Sequence, residues 1–419
     1  MKRECYGNVN DPRNISQING VDKMEYSTFM YAVSDAMKRL DWYAFGKKPR
    51  EIAERVTQLC TNANSHWNDT DCSRMDGRVN GTVRLLERII MTRLFGQTHH
   101  VRMLKLMKSQ TGLRGRTKFG VTYNSGDSRA SGSPETSPFN SLLNAFIAFL
   151  SWRMTRVDGA YVDSCEAWDR LGIYGGDDGG TVDQSSKAAE RAASAMGQKL
   201  TVNVTKRYDV GVTFLARHYG PDVWWGSPSS CCNIKRQLAK FHMTIRLDSK
   251  TTPIVKLREK AYAFALTDPN TPVIGQFVWT VLQLFPMRAD EYRNVLGIWN
   301  SDIPMQDQYP NPYEDWMDDL LMEQIPTFDF SKFLDWLVGV DRDTIFHPPL
   351  FATPETPLVK DGLAVVDNDF AGQAPEVPPQ GVERGNSTEV KTKRHRPRRT
   401  KPAAVKTSET DRPRAGVKP

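Results

Sequence analysis

Three groups of acidic and amide side chains in this 419-residue chain stand where they could hold a divalent cation and a polar substrate. The first is Gly172-Ile173-Tyr174-Gly175-Gly176-Asp177-Asp178-Gly179-Gly180-Thr181-Val182, which places adjacent carboxylates at the tip of a glycine-flanked hairpin. Side chains alternate across a strand, so consecutive aspartates point the same way only where the backbone turns between them. Glycines on both sides supply the positive φ that such a turn demands. Like charges placed together are costly unless a cation holds them. Mg²⁺ suits the arrangement because it takes oxygen ligands, usually one or two carboxylates together with substrate phosphates. The second group is Asp71-x₄-Asp76, with Asp69 as a competing carboxylate that strand alternation lets share the face of Asp71. The third is Ser131-Gly132, followed by Thr136 and Asn140 on one face of an apolar helix. Capping accounts for Thr136, whereas an asparagine inside an apolar helix needs a hydrogen-bonding partner.

The elements that must position these residues can be read from hydrophobic periodicity. Residues 65–71 read as a strand, followed by a turn and a helix over about 79–95. Val79, Val83, Leu86, Ile89, Ile90 and Leu94 would face the core side of that helix. Asp71 and Asp76 then stand at a strand's carboxyl end and at the start of a helix, where acidic side chains are also favoured for capping alone. The loop at 131–140 opens a buried helix through about 152, with Pro138 in its first turn. After the Asp177-Asp178 hairpin come an Ala-rich helix (185–197), a strand (199–206) and a second hairpin (210–219). Upstream, helices are expected over 25–40 and about 50–60. Residues 96–130 read as irregular and basic, with a β-like stretch over 119–123. Residues 232–345 alternate helical stretches with Pro-containing loops. Trp279, Leu282, Phe285, Trp299, Trp316, Leu320, Leu321, Phe333, Leu334, Trp336 and Leu337 are expected to form a separate core there.

Composition narrows the class. The net charge of +7 is carried by the end of the chain: residues 384–419 hold 12 Lys/Arg against 3 Asp/Glu, which leaves −2 for the other 383 residues. A nucleic-acid groove in the body must therefore be a local patch. The Pro-, Lys- and Arg-rich tail has too little apolar surface to order itself. No stretch reaches the ~18 uninterrupted apolar residues of a membrane span, and no secretory signal opens the chain. The six cysteines show no C-x₂-C pairing and read as reduced thiols in a cytosolic setting. His99-His100 has no further ligand at metal-binding spacing.

The order and spacing of Asp71-x₄-Asp76, Ser131-Gly132…Thr136…Asn140 and Gly176-Asp177-Asp178 resemble palm motifs A, B and C of the RNA-dependent RNA polymerases of positive-strand RNA viruses. The opening segment (Lys2, Glu4, Pro12, Arg13, Ile15) resembles fingers motif F. Residues 197–206 resemble motif D, and Phe214-Leu215-Ala216-Arg217 resembles motif E. The wording Asp-Cys-Ser-Arg-Met-Asp-Gly and Tyr-Gly-Gly-Asp-Asp-Gly-Gly is most similar to nodaviruses and noda-like viruses.

The resemblance implies an α+β right-hand polymerase. Partial fingers would span 1–60 and an antiparallel palm 61–230, with a fingers insertion at 96–130. A mainly helical thumb would follow at 231–350, and a disordered basic tail at 351–419. It further implies two Mg²⁺ ions, or Mn²⁺ in their place, held by Asp71 and Asp177 with Asp178 assisting. Asp76 and Asn140 would read the 2′-hydroxyl, supported by Ser131, Gly132 and Thr136. Arg13 with Lys2 or Arg3 would grip the triphosphate, and Lys206, with Lys199 as the alternative, would protonate pyrophosphate. The implied partners are RNA template, nascent RNA and ribonucleoside triphosphates. The implied setting is the host cytoplasm, at a membrane-associated replication complex joined through an upstream region. With motif F at residue 2, the chain is expected to be a piece of a longer replicase. The alternative from another class is an inert replicase fragment that binds RNA through its basic tail.

Overall fold

The computed structural model describes residues 15, 16, 18–116, 120–244, 247, 251–286 and 303–354, together with the backbone of two short paired segments at 359–360 and 363–364. All belong to one compact unit, Met1–Asp367. Lys2, Arg3 and Arg13 lie outside the described residues, as do Trp299 and the basic tail from 365 onward.

Among the described residues, two helices precede the first strand. In α1 (Gly20–Met37) the stripe Tyr26, Phe29, Met30, Val33, Met37 is buried, as its helical spacing requires, and the Asn19 side chain caps Val21 N–H at 2.8 Å. Helix α2 (Pro49–Asn62) starts on Pro49, with the Glu51 carboxylate accepting from Lys48 N–H at 2.7 Å. Strand β1 (His66–Cys72) leads into a 3₁₀ turn (Met75–Arg78) and then α3 (Gly81–Leu94). Asp76 therefore sits in the 3₁₀ turn, ahead of the helix that it was expected to begin.

Residues 97–108, expected to be irregular, form a regular helix, α4 (Gln97–Lys108). Its short buried stripe, Met103 and Leu106, is flanked by His, Arg and Lys, which hid the period; Val101 is exposed. The hairpin β2 (Arg114–Arg116) and β3 (Thr122–Asn124) follows, and then the long helix α5 (Thr136–Arg153). A small hairpin, β4 (Arg156–Val157) with β5 (Ala160–Tyr161), and a short helix α6 (Ser164–Asp169) lead to β6 (Ile173–Gly175) and β7 (Asp178–Val182).

Helix α7 (Ser186–Ala195) returns the chain to β8 (Leu200–Lys206). These strands form a four-stranded antiparallel sheet in the order β6-β7-β1-β8. Alternation along β1 sends Asn68, Thr70 and Cys72 toward one side, where Cys72 joins a core with Leu143 and Ile147 of α5 and Ala192 and Ala193 of α7. Trp67, Asp69 and Asp71 take the other side, where the fully buried Trp67 packs with Ile52, Val56 and Leu59 of α2. Gly180 of β7 serves that packing: a Cβ there would overlap the Trp67 indole.

Strands β9 (Val212–Phe214) and β10 (Arg217–Tyr219) form a tight hairpin through Leu215 and Ala216, both at positive φ (49° and 58°). With β11 (Ser230–Cys232) they make a three-stranded sheet. Helices α8 (Ile234–Phe241), α9 (Pro253–Thr267), α10 (Ile274–Leu284), Trp316–Gln324 and Phe330–Gly339 enclose the expected second core. The inward stripe of α10 is Ile274, Phe277, Val278 and Val281, with Phe285 just beyond its end; Trp279, assigned to the core from sequence, is 49% exposed. Leu334 likewise faces solvent. No described helix is long and apolar enough to cross a membrane.

Candidate active site

In the four-stranded sheet Asp71 of β1 is paired in register with Asp178 of β7, and Gly175 of β6 pairs with the same Asp178. The β6–β7 connection is thus a two-residue turn of Gly176 and Asp177. Gly176 carries a φ of 73° there, as a tight hairpin of this kind requires at its first central position. Cys72 N–H donates to the Asp177 carbonyl at 3.3 Å, tying the turn to the end of β1. Paired residues on antiparallel strands have Cα atoms about 4.5–5.5 Å apart, so Asp71 and Asp178 are cross-strand neighbours where β1 ends, with Asp177 next in the turn.

Electrostatics report the crowding. Burial, reinforced by Asp177, Asp71 and Asp69, pushes the Asp178 carboxyl up to about 7, while Arg236 of α8 opposes the shift. Burial and Asp71 push Asp69 to about 6. The buried Cys72 thiol rises to about 12, chiefly by desolvation and further by Asp71 and Asp177. Such a cluster is relieved either by protons or by cations. Among the described residues no group of three or more His, Cys, Asp or Glu forms a ready-made metal cage. That is compatible with Mg²⁺, which usually keeps several waters and binds through one or two carboxylates plus substrate phosphates. Asp71 and Asp177 are exposed and Asp178 half-buried, so the donor set is hard oxygen and accessible from solvent. The residues fit the ion.

Helix α5 holds this turn from behind. Ser141 Oγ accepts from Gly176 N–H (2.8 Å), and Asn144 Nδ2 donates to the carbonyls of Asp177 (3.0 Å) and Gly176 (3.3 Å). Sequence reading missed both residues. The signal that marked Asn140, a polar group on a buried helix, applies equally to Ser141 and to Asn144 one turn later, and both are buried. Asn140 finds its partner as expected: its Nδ2 donates to Asp76 Oδ1 at 2.8 Å. Burial pushes the Asp76 carboxyl up, partly offset by Asn140 and Arg129. Thr136 opens α5 and donates from Oγ1 to the Ala130 carbonyl (3.2 Å), stapling the preceding loop. Gly132 N–H donates to the Ser16 carbonyl (3.0 Å), so the loop carrying Ser131 and Gly132 meets the end of the opening basic segment.

One expected site residue is not brought to the cluster. Lys206 pairs with His66, at the opposite end of β1 from Asp71, roughly 16 Å away by the rise of a strand. Lys199 is better placed: Leu200 pairs with Cys72, and the Lys199 carbonyl accepts from Ser73 N–H at 3.0 Å. The reason is register, since β8 runs antiparallel to β1 and only its first residues reach the acidic end. His99 and His100 are structural, the latter bonding the Phe95 carbonyl through Nε2 at 2.8 Å and the former packing edge-on against Phe29.

No family model matches the chain. Its fold is that of a viral RNA-dependent RNA polymerase: it matches the crystal structure of the RNA-dependent RNA polymerase of a human picorbirnavirus with a TM-score of 0.52. That match covers 68% of this chain and 55% of that one, at 14% identity. The sequence relatives are more particular. The chain is 30% identical over 333 residues to the RNA-directed RNA polymerase of Greasy grouper nervous necrosis virus, covering 78% of this chain and 33% of that protein. It is 32% identical over 282 residues to that of Striped jack nervous necrosis virus (66% and 28%). To that of Flock house virus it is 27% identical over 292 residues (67% and 28%). The resemblance read from the motifs thus holds along most of the chain, and the relatives are nodavirus RNA-directed RNA polymerases, a class of nucleotidyltransferase. The chain spans about a third of the length of these relatives. They do not favour the alternative of an inert fragment that binds RNA through its tail.

Proposed function

We propose that this chain is the catalytic part of a viral RNA-directed RNA polymerase, which adds ribonucleotides to an RNA 3′ end on an RNA template and releases pyrophosphate. The observation that carries the reading is the in-register pairing of Asp71 with Asp178 beside the Gly176-Asp177 turn. On this reading residues 61–230 are the palm, with 1–60 and 96–130 contributing fingers and 231–350 the thumb. Asp71 and Asp177, assisted by Asp178, would hold two Mg²⁺ ions. When bound, these would lower the pKa of the 3′-hydroxyl and neutralise the leaving pyrophosphate. In phosphoryl transfer the protein mainly positions groups and balances charge, and the side chains divide that work. Ser141 and Asn144 fix the turn that presents Asp177. Asp76 and Asn140 bind the 2′-hydroxyl, the group that separates ribonucleotides from deoxyribonucleotides, and the loop of Ser131 and Gly132, stapled by Thr136, supports them. Lys199 takes the role of proton donor to pyrophosphate. Arg13, with Lys2 or Arg3, is assigned to the triphosphate by the resemblance alone. RNA template, nascent RNA and ribonucleoside triphosphates are the partners that this reading entails, with cytoplasmic genome replication as its setting.

The test is Mg²⁺-dependent incorporation of labelled nucleotide on an RNA template by the purified chain. Asp177→Ala should abolish incorporation while leaving the thermal transition in place. Incorporation at the wild-type rate by Asp177→Ala would discard the assignment.

A further inference from the structure

Behind the Asp76–Asn140 pair lies a closed cluster of four charged side chains. The Arg129 guanidinium has no solvent exposure. It donates from Nε to Asn140 Oδ1 (2.8 Å), from Nη1 to Glu135 Oε1 (3.1 Å) and from Nη2 to Glu87 Oε1 (2.5 Å). Arg84 completes the set from α3: its Nη1 donates to Glu135 Oε1 (2.6 Å) and to Glu87 Oε2 (3.0 Å). The Tyr26 hydroxyl donates to Glu135 Oε2 (2.9 Å). The two guanidinium and two carboxylate charges cancel, which is the condition under which buried ions persist. Arg129 is also joined to the nucleotide-reading turn through its backbone, since its N–H donates to the Asp76 carbonyl at 2.9 Å.

The chemistry of an amide gives this cluster a consequence. The Asn140 carboxamide has an acceptor end and a donor end of nearly the same shape, so a neighbour must decide which end faces Asp76. Arginine is a donor only. With Nε of Arg129 directed at Asn140, the amide must turn Oδ1 to Arg129 and Nδ2 to the Asp76 carboxylate, as observed. Glu87 and Glu135 hold the other prongs of the guanidinium, so Arg129 cannot swing away without leaving two buried carboxylates to the single guanidinium of Arg84. Lysine could balance their charge, but its single ammonium cannot reproduce the rigid fork that reaches three acceptors in three directions.

We infer that Arg129, held by Glu87 and Glu135, is a positioning residue for ribose selection: it fixes the orientation of Asn140, and through it the polarity of the surface offered to the 2′-hydroxyl. This rests on the proposed role of Asp76 and Asn140 as the 2′-hydroxyl reader. The experiment compares ATP with 2′-deoxyATP on the full chain, both as kcat/KM for single-nucleotide incorporation and as Kd by calorimetry with Mg²⁺. The proteins are wild type, Arg129→Lys, Asn140→Ala and the double variant. Arg129→Lys should lower the ATP-to-deoxyATP ratio about tenfold, almost wholly by weakening ATP, and should add nothing further in the Asn140→Ala background.

An equal loss for both nucleotides, or effects that multiply in the double variant, would show that Arg129 does not act through Asn140 and would overturn the inference. If Asn140→Ala itself leaves the ratio unchanged, the reading of the nucleotide site has failed instead. Should Arg129→Lys not fold, Glu87→Gln, which keeps Arg129 and releases one prong, should lower the same ratio by a smaller factor. An unchanged ratio in that variant, or its failure to fold as well, would assign the cluster to stability alone.

Discussion

Asp183 follows β7 with a φ of 56° and folds its carboxylate over the start of β1. It accepts from the N–H groups of Asn64 (2.6 Å), Ser65 (2.7 Å) and His66 (3.2 Å), and from Ser65 Oγ (2.8 Å). Burial pushes this carboxyl up, but the four donors outweigh it and hold the group below its ordinary value. A depressed folded pKa means that the unfolded chain takes up the proton first. The stabilisation is therefore complete above the unfolded value of about 3.9 and is lost as pH falls through the folded one. Asparagine keeps the shape and tolerates left-handed backbone, so Asp183→Asn isolates the charge. Its urea midpoint should lie below that of the wild type at pH 7, and the gap should narrow as pH drops below about 4. A gap independent of pH would assign the cap to geometry instead. At the same scale, the acids at 71, 177 and 178 were legible in the sequence because turn glycines and strand alternation leave few places for paired carboxylates to go. Arg129, Glu87 and Glu135 were not, because charged side chains default to solvent and only the fold shows that four of them cancel in the interior.

The contrast between Lys199 and Lys206 belongs to the element. Strands β1 and β8 each have seven residues, and their pairing runs from His66 with Lys206 to Cys72 with Leu200. Local sequence gave β8 a lysine at its end and another just before its start, and nothing in its alternation says which end lies beside the acids. That is decided by a pairing partner more than a hundred residues away. Helix α4 escaped notice for a related reason, since its apolar stripe makes sense only against the surface of α1 that it covers. The register leads to a clear expectation for catalysis. Lys199→Met should lower the single-turnover incorporation rate by about 10²-fold, the lower end of what a general acid contributes, with nucleotide affinity nearly unchanged. Lys206→Met should stay within about twofold of wild type. A rapid-quench measurement on both variants decides between them, and the reverse ranking would return the role to Lys206.

On the scale of the whole molecule, the three-stranded sheet must be joined to the C-terminal helical layer if nucleic acid is to be held against the acidic end of β1. A buried ion pair lies at that join. Arg217 of β10 reaches Asp268, just past α9, at 3.2 Å, with both side chains almost fully enclosed. Asp268 also accepts from Cys232 N–H (2.8 Å), Thr271 Oγ1 (3.1 Å) and Thr267 Oγ1 (2.7 Å). The Arg217 guanidinium donates to the Ser230 carbonyl (3.0 Å) and lies 4.1 Å from the Tyr309 ring centroid. Removing one member leaves a charge buried without its partner, which costs about 3–5 kcal/mol, whereas replacing both by apolar groups of similar volume often costs far less. Asp268→Ala should therefore shift the urea transition by a destabilisation of that size. Arg217→Met combined with Asp268→Leu should recover much of it, less the contribution of the Cys232 N–H left unpaired, about 1–3 kcal/mol. If Asp268→Ala unfolds within about 0.5 kcal/mol of wild type, the pair is not what holds the sheet to the helices, and that load falls on the apolar core around Phe277 and Phe333, which Cys232 joins, and on the contact of Gln324 with His218.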